Sequence, residues 1–443
     1  MQIMSDQMER RRDRISNLPD SLLEYILTFL STKYAVRTGV LSKRWKDLWI
    51  SHPYISLNDD GLIDRMAESK NLSISKWKFF FLKNEIRNRR IKVTEFMNFL
   101  DKVLLHPQAR VKKLQLSSQE RLETPTFSRW FQAVLKEGLE ELNLNFGIFC
   151  DAPLSSLTTS NTLVTLKLDF GALSGHEFPI SFCFPNLKTM HLNGFLLANN
   201  FPHQLLQCRN LESLILRYFM FNLMLHDPVL DCFEQKEALP NLLNAQMDCS
   251  YVFRGKDSAR SFLKNLINVM SNTKNLNLSL SIMEYLALDR TFPDDMPKFN
   301  NLKHIKLYLQ SFHVGAMSYI LQKAPNLESL HIEFDRPYGS VHDTGMLEQL
   351  RFCCSTANLK VIRMTNFILE DPVLELVQLI FESVGSLEDI VIELVERPAI
   401  NNFLQLQKLS KLSRLSKDSV LHVKWDFGYP LRLLLLPSSM VVN

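Results

Sequence analysis

Glycine is scarce in this chain, at 13 of 443 residues, and so is net charge, since 51 Lys and Arg against 47 Asp and Glu leave only +4. With so few glycines no glycine-rich phosphate loop is present. A balance of +4 does not demand a nucleic-acid partner. No run of about 18 apolar residues exists, so no segment is expected to span a membrane. The opening MQIMSDQMERRRDR lacks an apolar stretch of signal-peptide length and is not expected to direct secretion. The seven cysteines, at positions 150, 183, 208, 232, 249, 353 and 354, are odd in number and irregularly spaced. They fit free thiols in a reducing compartment rather than a disulfide framework. The tripeptides at Asn71 and Asn277 that would suit glycosylation are therefore read as chance, and the expected location is the cytoplasm or nucleus.

What is present begins with leucine. In ISNLPDSLLEYILTFL, residues 15–30, Leu18, Leu22, Leu23, Ile26, Leu27 and Leu30 follow the spacing of one broad helical stripe. Pro19 suits the first helical turn, where its missing N–H costs nothing. Ser42 can cap a further helix that carries Trp45, Leu48 and Trp49 on one face. So short a segment cannot bury all of this apolar surface, and part of it is expected to meet a partner.

Beyond residue 105 one phrase recurs: RVKKLQL, GLEELNL, TLVTLKL, NLKTMHL, NLESLIL, and later NLKHIKL, NLESLHI, NLKVIRM and SLEDIVI. The skeleton is apolar-x-x-apolar-x-apolar, the strand-forming half of a leucine-rich repeat. Its middle positions are Leu114, Leu142, Leu166, Met190, Leu214, Ala245, Leu276, Ile305, Leu330, Ile362, Ile390 and Leu421, spaced 24 to 32 residues apart. Ten of the twelve sites have all three skeleton positions apolar; Thr273 and Asp418 break the other two. One such unit cannot bury its own leucines, so the units must stack, with skeleton residues inward and the residues between them outward. The Asn or Cys that usually follows each anchor by five residues is replaced by Gly147, Gly171, Phe195 and Phe219, so no regular ladder of buried amide hydrogen bonds is expected. The return segment TFSRWFQAVLKEG reads as a helix through Phe127, Trp130, Phe131 and Val134, stopped at Gly138.

Residues 13–49, DRISNLPDSLLEYILTFLSTKYAVRTGVLSKRWKDLW, closely resemble the F-box of plant F-box/leucine-rich-repeat proteins, through Leu18-Pro19, the leucine stripe, Thr32-Lys33 and LSKRW ending in Trp49. Ser31 stands where that family usually has proline. WFQAVLKEGLEELNL and FPNLKTMHL are similar to the family's repeats, and Leu359 to Val423 looks like the FBD element that ends many such chains. The resemblance implies an α/β fold: an N-terminal three-helix F-box, then an irregular leucine-rich-repeat solenoid with a parallel concave sheet. The divisions expected are an F-box at 10–55, a basic linker at 56–104, repeats at 105–358 and FBD-like repeats at 359–430. It further implies a non-catalytic substrate receptor of a cullin ubiquitin ligase of the SCF type. Leu18, Pro19, Leu22, Ile26, Leu41, Trp45 and Trp49 would hold a Skp-family adaptor, and through it a cullin. Each buried Leu or Ile can contribute roughly 1.5–3 kcal/mol to such a contact.

The outward positions of the repeat strands are the candidate surface for an unknown target protein, chiefly Lys167, Asp169, His191, Arg217, Tyr308, His331, Glu333 and Arg363. No cofactor or metal is expected, because His191, His331 and His422 fall in separate repeats. Catalysis is poorly supported, Cys353-Cys354 being the one cysteine pair of note. Two other readings exist: a repeat scaffold without ligase activity, and a nucleic-acid-associated protein using residues 62–113, where 13 Lys and Arg outnumber 5 Asp and Glu around Trp77 and Phe79 to Phe81. The plainer reading of that stretch is a solvated connector whose aromatics cap the first repeat.

Overall fold

A computed structural model describes residues 15, 18–30, 32–51, 53–58, 97–98, 100–107, 110–118, 129–130, 132–135, 138–146, 154, 157–171, 175–221, 237–249, 257–288, 296–309, 314–334, 358–367, 387–394 and 420–425. The basic stretch up to residue 96, with Trp77 and Phe79 to Phe81, lies outside them, as do Phe127, Phe131, Cys353 and Cys354. The chain forms two compact units, Met1–Pro179 and Ile180–Asn443.

The first unit opens with three short helices, α1 (Asp20–Leu27), α2 (Thr32–Arg37) and α3 (Trp45–Leu48), with a 3-10 turn at Thr38–Val40. Pro19 sits at the N-cap of α1, and its carbonyl accepts from the Leu22 and Leu23 amides. Leu23, Leu27, Ala35 and Trp45 form the small core, with Leu18, Leu30, Leu48 and Trp49 packed against it. Arg44, from the LSKRW motif, donates Nε to Asp20 Oδ1 at 2.8 Å and an Nη to the Leu18 carbonyl, tying the third helix to the start of the first.

Strand β1 (Tyr54–Asn58) follows directly and pairs in parallel with β2 (Lys113–Ser118), which leads on to β3 (Glu141–Phe146) and β4 (Thr165–Asp169). The anchor series starts one strand too late: Ile55 is level with Leu114 and buried, but His52 occupies its outer skeleton position, so the sequence hides this unit. Gly138 adopts φ +85° after the helical segment that carries buried Trp130 and Val134, the expected stop. Trp130 donates Nε1 to Asp101 Oδ1 at 2.7 Å.

The second unit carries β5 (Thr189–Asn193), β6 (Ser213–Phe221), β7 (Asn244–Cys249), β8 (Asn275–Leu278), β9 (His304–Leu309), β10 (Ser329–Phe334), β11 (Val361–Phe367), β12 (Asp389–Leu394) and β13 (Val420–Trp425), all parallel in chain order. The anchors read from the sequence lie level with one another within each unit, Leu114 to Leu166 in the first and Met190 to Leu421 in the second. Burial alternates along the strands as a half-buried sheet requires. Strand β12 departs from this, because its continuous DIVIEL run buries Val391 as well as Ile390 and Ile392. Thr273 replaces an apolar skeleton residue at full burial, and its hydroxyl is satisfied 2.9 Å from the Leu243 carbonyl and 3.0 Å from that of Asn275. Helices α4 (Phe201–Leu205), α5 (Asp257–Val269), α6 (Leu280–Leu288) and α7 (Val314–Gln322) supply further core residues, among them Phe201, Phe262, Met283 and Ile320.

The amide hydrogen bonds between repeats are mostly exposed rather than buried, and they come from before the strand rather than after it. They start from the fourth residue before the anchor in five repeats. There Asn210, Asn241, Asn272, Asn326 and Asn358 donate Nδ2 to the carbonyls of Pro185, Arg209, Leu239, Asn300 and Pro325, each in the preceding repeat. Thr162 takes the same role in the first unit, donating to the Leu139 carbonyl at 2.8 Å. The asparagine of the recurring N-L-K and N-L-E phrase is thus the ladder residue.

Candidate functional site

Two surfaces answer to the two expectations. The first lies on the outer side of α1 and the turn after α2. Positions 22, 25, 26 and 29 share the helical face opposite Leu23 and Leu27, and carry Leu, Tyr, Ile and Phe. Phe29 is 72% exposed, and Val40 and Leu41 are 90% and 66% exposed. Tyr25 and Phe29 meet edge to face with centroids 5.0 Å apart, which joins their two exposed rings. Of the predicted adaptor residues, Leu22, Ile26 and Leu41 are exposed and Pro19 is exposed beside them. Leu18 and Trp49 are half-buried against the core. Trp45 is itself core, at 4% exposure, so a direct contact from it is corrected to a supporting role. Tyr25, Phe29 and Val40 were missed, although the i, i+3, i+4 series from Leu22 contains the first two.

The second surface is the open face of the sheet. In the first unit, Lys167 and Asp169 are half-buried, and Asp169 Oδ1 accepts from the Gly171 amide at 3.0 Å, so that carboxylate shapes the turn after β4. In the second unit, His191 Nε2 lies 3.4 Å from Ser213 Oγ and His331 Nε2 lies 3.0 Å from Thr365 Oγ1. Burial, then the charges of Lys306 and Arg363, hold the His331 pKa below its ordinary value. Glu333 pairs with Lys306 at 2.7 Å and accepts from Asn366 at 3.4 Å, and the Lys306 ammonium sits 4.7 Å from the Tyr308 ring centroid. Burial works against the Lys306 charge, yet its bonds to Glu333 and Tyr308 outweigh that and raise its pKa.

Arg217, Tyr308 and Glu333 line one cleft of 510 Å³, together with Asp248 and Ser279. His331 lines an adjoining one of 330 Å³ with Ile215, His304 and Lys306. His191 and Arg363 line neither, and Lys167 and Asp169 belong to the other unit. Asp248 escaped the sequence reading, though alternation from Ala245 through Gln246 reaches it two residues on. Bulges reshape this rim: the register shifts after Leu216 and after Met364, with Tyr218 at φ +47° and Asn366 at φ +54°.

Among known proteins, the F-box domain family matches residues 15–56, the segment that holds α1 to α3 and the start of β1. The chain carries an F-box. Its relatives extend the likeness well past the F-box. An FBD-associated F-box protein of Arabidopsis thaliana is 26% identical and aligns with 91% of this chain and 92% of its own length. An F-box/LRR-repeat protein of the same plant is 34% identical over 46% of this chain and 57% of its own. An F-box/FBD/LRR-repeat protein is 30% identical over 47% of this chain and 42% of its own. The surface just described therefore lies within a known module, and relatives named for leucine-rich repeats align with 46% and 47% of the chain.

Proposed function

We propose that this F-box protein is the substrate-receptor subunit of an SCF-type cullin ubiquitin ligase. The F-box would bind a Skp-family adaptor and, through it, a cullin, and the open face of the repeats would hold a target protein. The observation that carries the reading is the set of exposed apolar side chains, Leu22, Tyr25, Ile26 and Phe29 on α1 with Val40 and Leu41 in the turn after α2, on a module whose core is already filled by Leu23, Leu27, Ala35 and Trp45. Each Leu or Ile covered there contributes roughly 1.5–3 kcal/mol, enough for a lasting complex from a few anchors. The chain's part in the reaction is proximity. A target held beside an activated ubiquitin reacts at raised effective concentration, and the transfer chemistry belongs to other subunits. The setting is the cytoplasm or nucleus; among the described residues no helix is long and apolar enough to cross a membrane.

Co-purification with a Skp-family adaptor tests the hook. The parent chain should form a one-to-one complex, and the double change Ile26→Asp/Leu41→Asp should abolish it while leaving the circular dichroism spectrum unchanged, since both residues lie outside the core. A folded parent chain that captures no adaptor would leave a repeat scaffold without ligase activity.

A further inference from the structure

We propose that the cleft across β6 to β10 receives an extended segment of the target and takes one Lys or Arg side chain of it against Asp248. This rests on the receptor reading and narrows it to one position and one chemistry.

The 330 and 510 Å³ hollows adjoin at Gln246 and Asn277, which line both. The floor between them is made of amides in register, Asn244 level with Asn275 and Gln246 level with Asn277. Asn275 Nδ2 donates to Asn244 Oδ1 at 2.7 Å, whereas Asn277 Oδ1 is buried without a partner. Side-chain amides offer donors and acceptors together, which suits the alternating N–H and C=O groups of an extended peptide.

Charge then selects the side chain. Glu333 is already neutralised by Lys306 at 2.7 Å. Among the described residues Asp248 has no salt bridge: the Arg217 charge acts on it, but the Arg217 Nη donates to Gln246 Oε1 at 3.3 Å. Half-burial pushes the Asp248 carboxyl up, and Ser279 and Arg217 offset this only in part. The cleft thus holds a partly desolvated carboxylate that lacks a salt-bridging cation among the described residues. An ammonium or guanidinium from the target supplies it; an acidic or phosphorylated side chain at the same place would be repelled.

Selection of phage-displayed random dodecapeptides on the immobilised full chain, followed by fluorescence polarisation with the enriched sequences, tests this. The enriched peptides should share a Lys or Arg at one fixed position. Asp248→Asn should weaken them by at least about tenfold, and Arg217→Gln, which removes a competing cation, should tighten them. Opposite signs from two variants with unchanged thermal midpoints exclude misfolding as the cause. Enriched peptides with no fixed basic residue, or affinity indifferent to Asp248→Asn, overturn the proposal. If such peptides instead lose affinity with Lys167→Ala or Arg363→Ala, the receptor reading stands and only this position is wrong. No enrichment on a chain that still binds adaptor overturns both the cleft and the repeat face as a peptide receptor.

Discussion

His331 lies on an outward row of β10, yet it is half-buried, bonded to Thr365, and surrounded by the cations Lys306 and Arg363 as well as the carboxylates Glu333 and Glu393. Its folded pKa is held below the ordinary 6.5, so near neutrality the imidazole is uncharged. Between the two values the unfolded chain binds more protons than the folded one, and stability therefore falls as pH drops through that window. Thermal unfolding at pH 8 and pH 5.5 should show it: His331→Gln, which cannot take up a proton, should lose less in midpoint on acidification than the parent. Equal losses would remove His331 from the account. The outward position of this residue was legible from the period-two alternation of the strand. Its protonation was not, because that depends first on burial and then on Lys306 and Arg363, 25 and 32 residues away in sequence and adjacent only through the register. Trp45 gives the converse case: the motif marks it as important, but only packing distinguishes a core tryptophan from a contact residue.

At the scale of the element, the repeats show two kinds of holding force. The anchors bury apolar side chains, and truncating one leaves a cavity; Leu330→Ala should cost about 2–5 kcal/mol. The asparagines four residues earlier tie each loop to the one before, and Asn326→Ala should cost about 0.5–1.5 kcal/mol. Cross-strand ion pairs repeat at a third place, Lys188 to Glu212, Lys303 to Glu328 and Lys360 to Glu388, all exposed and expected to add little. Chemical denaturation of the two variants checks the order: Leu330→Ala must fall well below Asn326→Ala, and equal midpoints would mean that the ladder carries as much as the core. The anchors were legible because an apolar skeleton survives degradation of everything around it. The ladder was not foreseen because a position after the strand was inspected, while the amide that bonds lies before it, in the very phrase that identified the repeat.

For the molecule, a stack of parallel strands leaves an unpaired edge at its start, and repeat arrays need a terminal cap there. In the first unit, among the described residues, β1 pairs with β2 on one side and meets the F-box on the other. Thr32, at the start of α2 and 3% exposed, accepts from the Ser56 amide at 2.9 Å and lies 3.3 Å from the Tyr54 carbonyl, to which its hydroxyl donates. One buried side chain thus closes two main-chain groups of the edge strand and fixes the F-box to the first repeats. Its residue type follows from that geometry, since only a hydroxyl of this size both accepts and donates in so small a space. Thr32→Val keeps the shape and leaves an edge donor and acceptor unpaired, at about 1–3 kcal/mol for a buried group. The proposed adaptor surface is on other residues, so adaptor affinity should be unchanged, while hydrogen exchange of the Ser56 amide should quicken severalfold. If proximity is the mechanism, a loosened join between hook and repeats should also lower the yield of modified target at constant adaptor binding. Unchanged Ser56 exchange in the variant would mean that the edge is held by something other than Thr32, and that the F-box does not serve as the cap of the sheet.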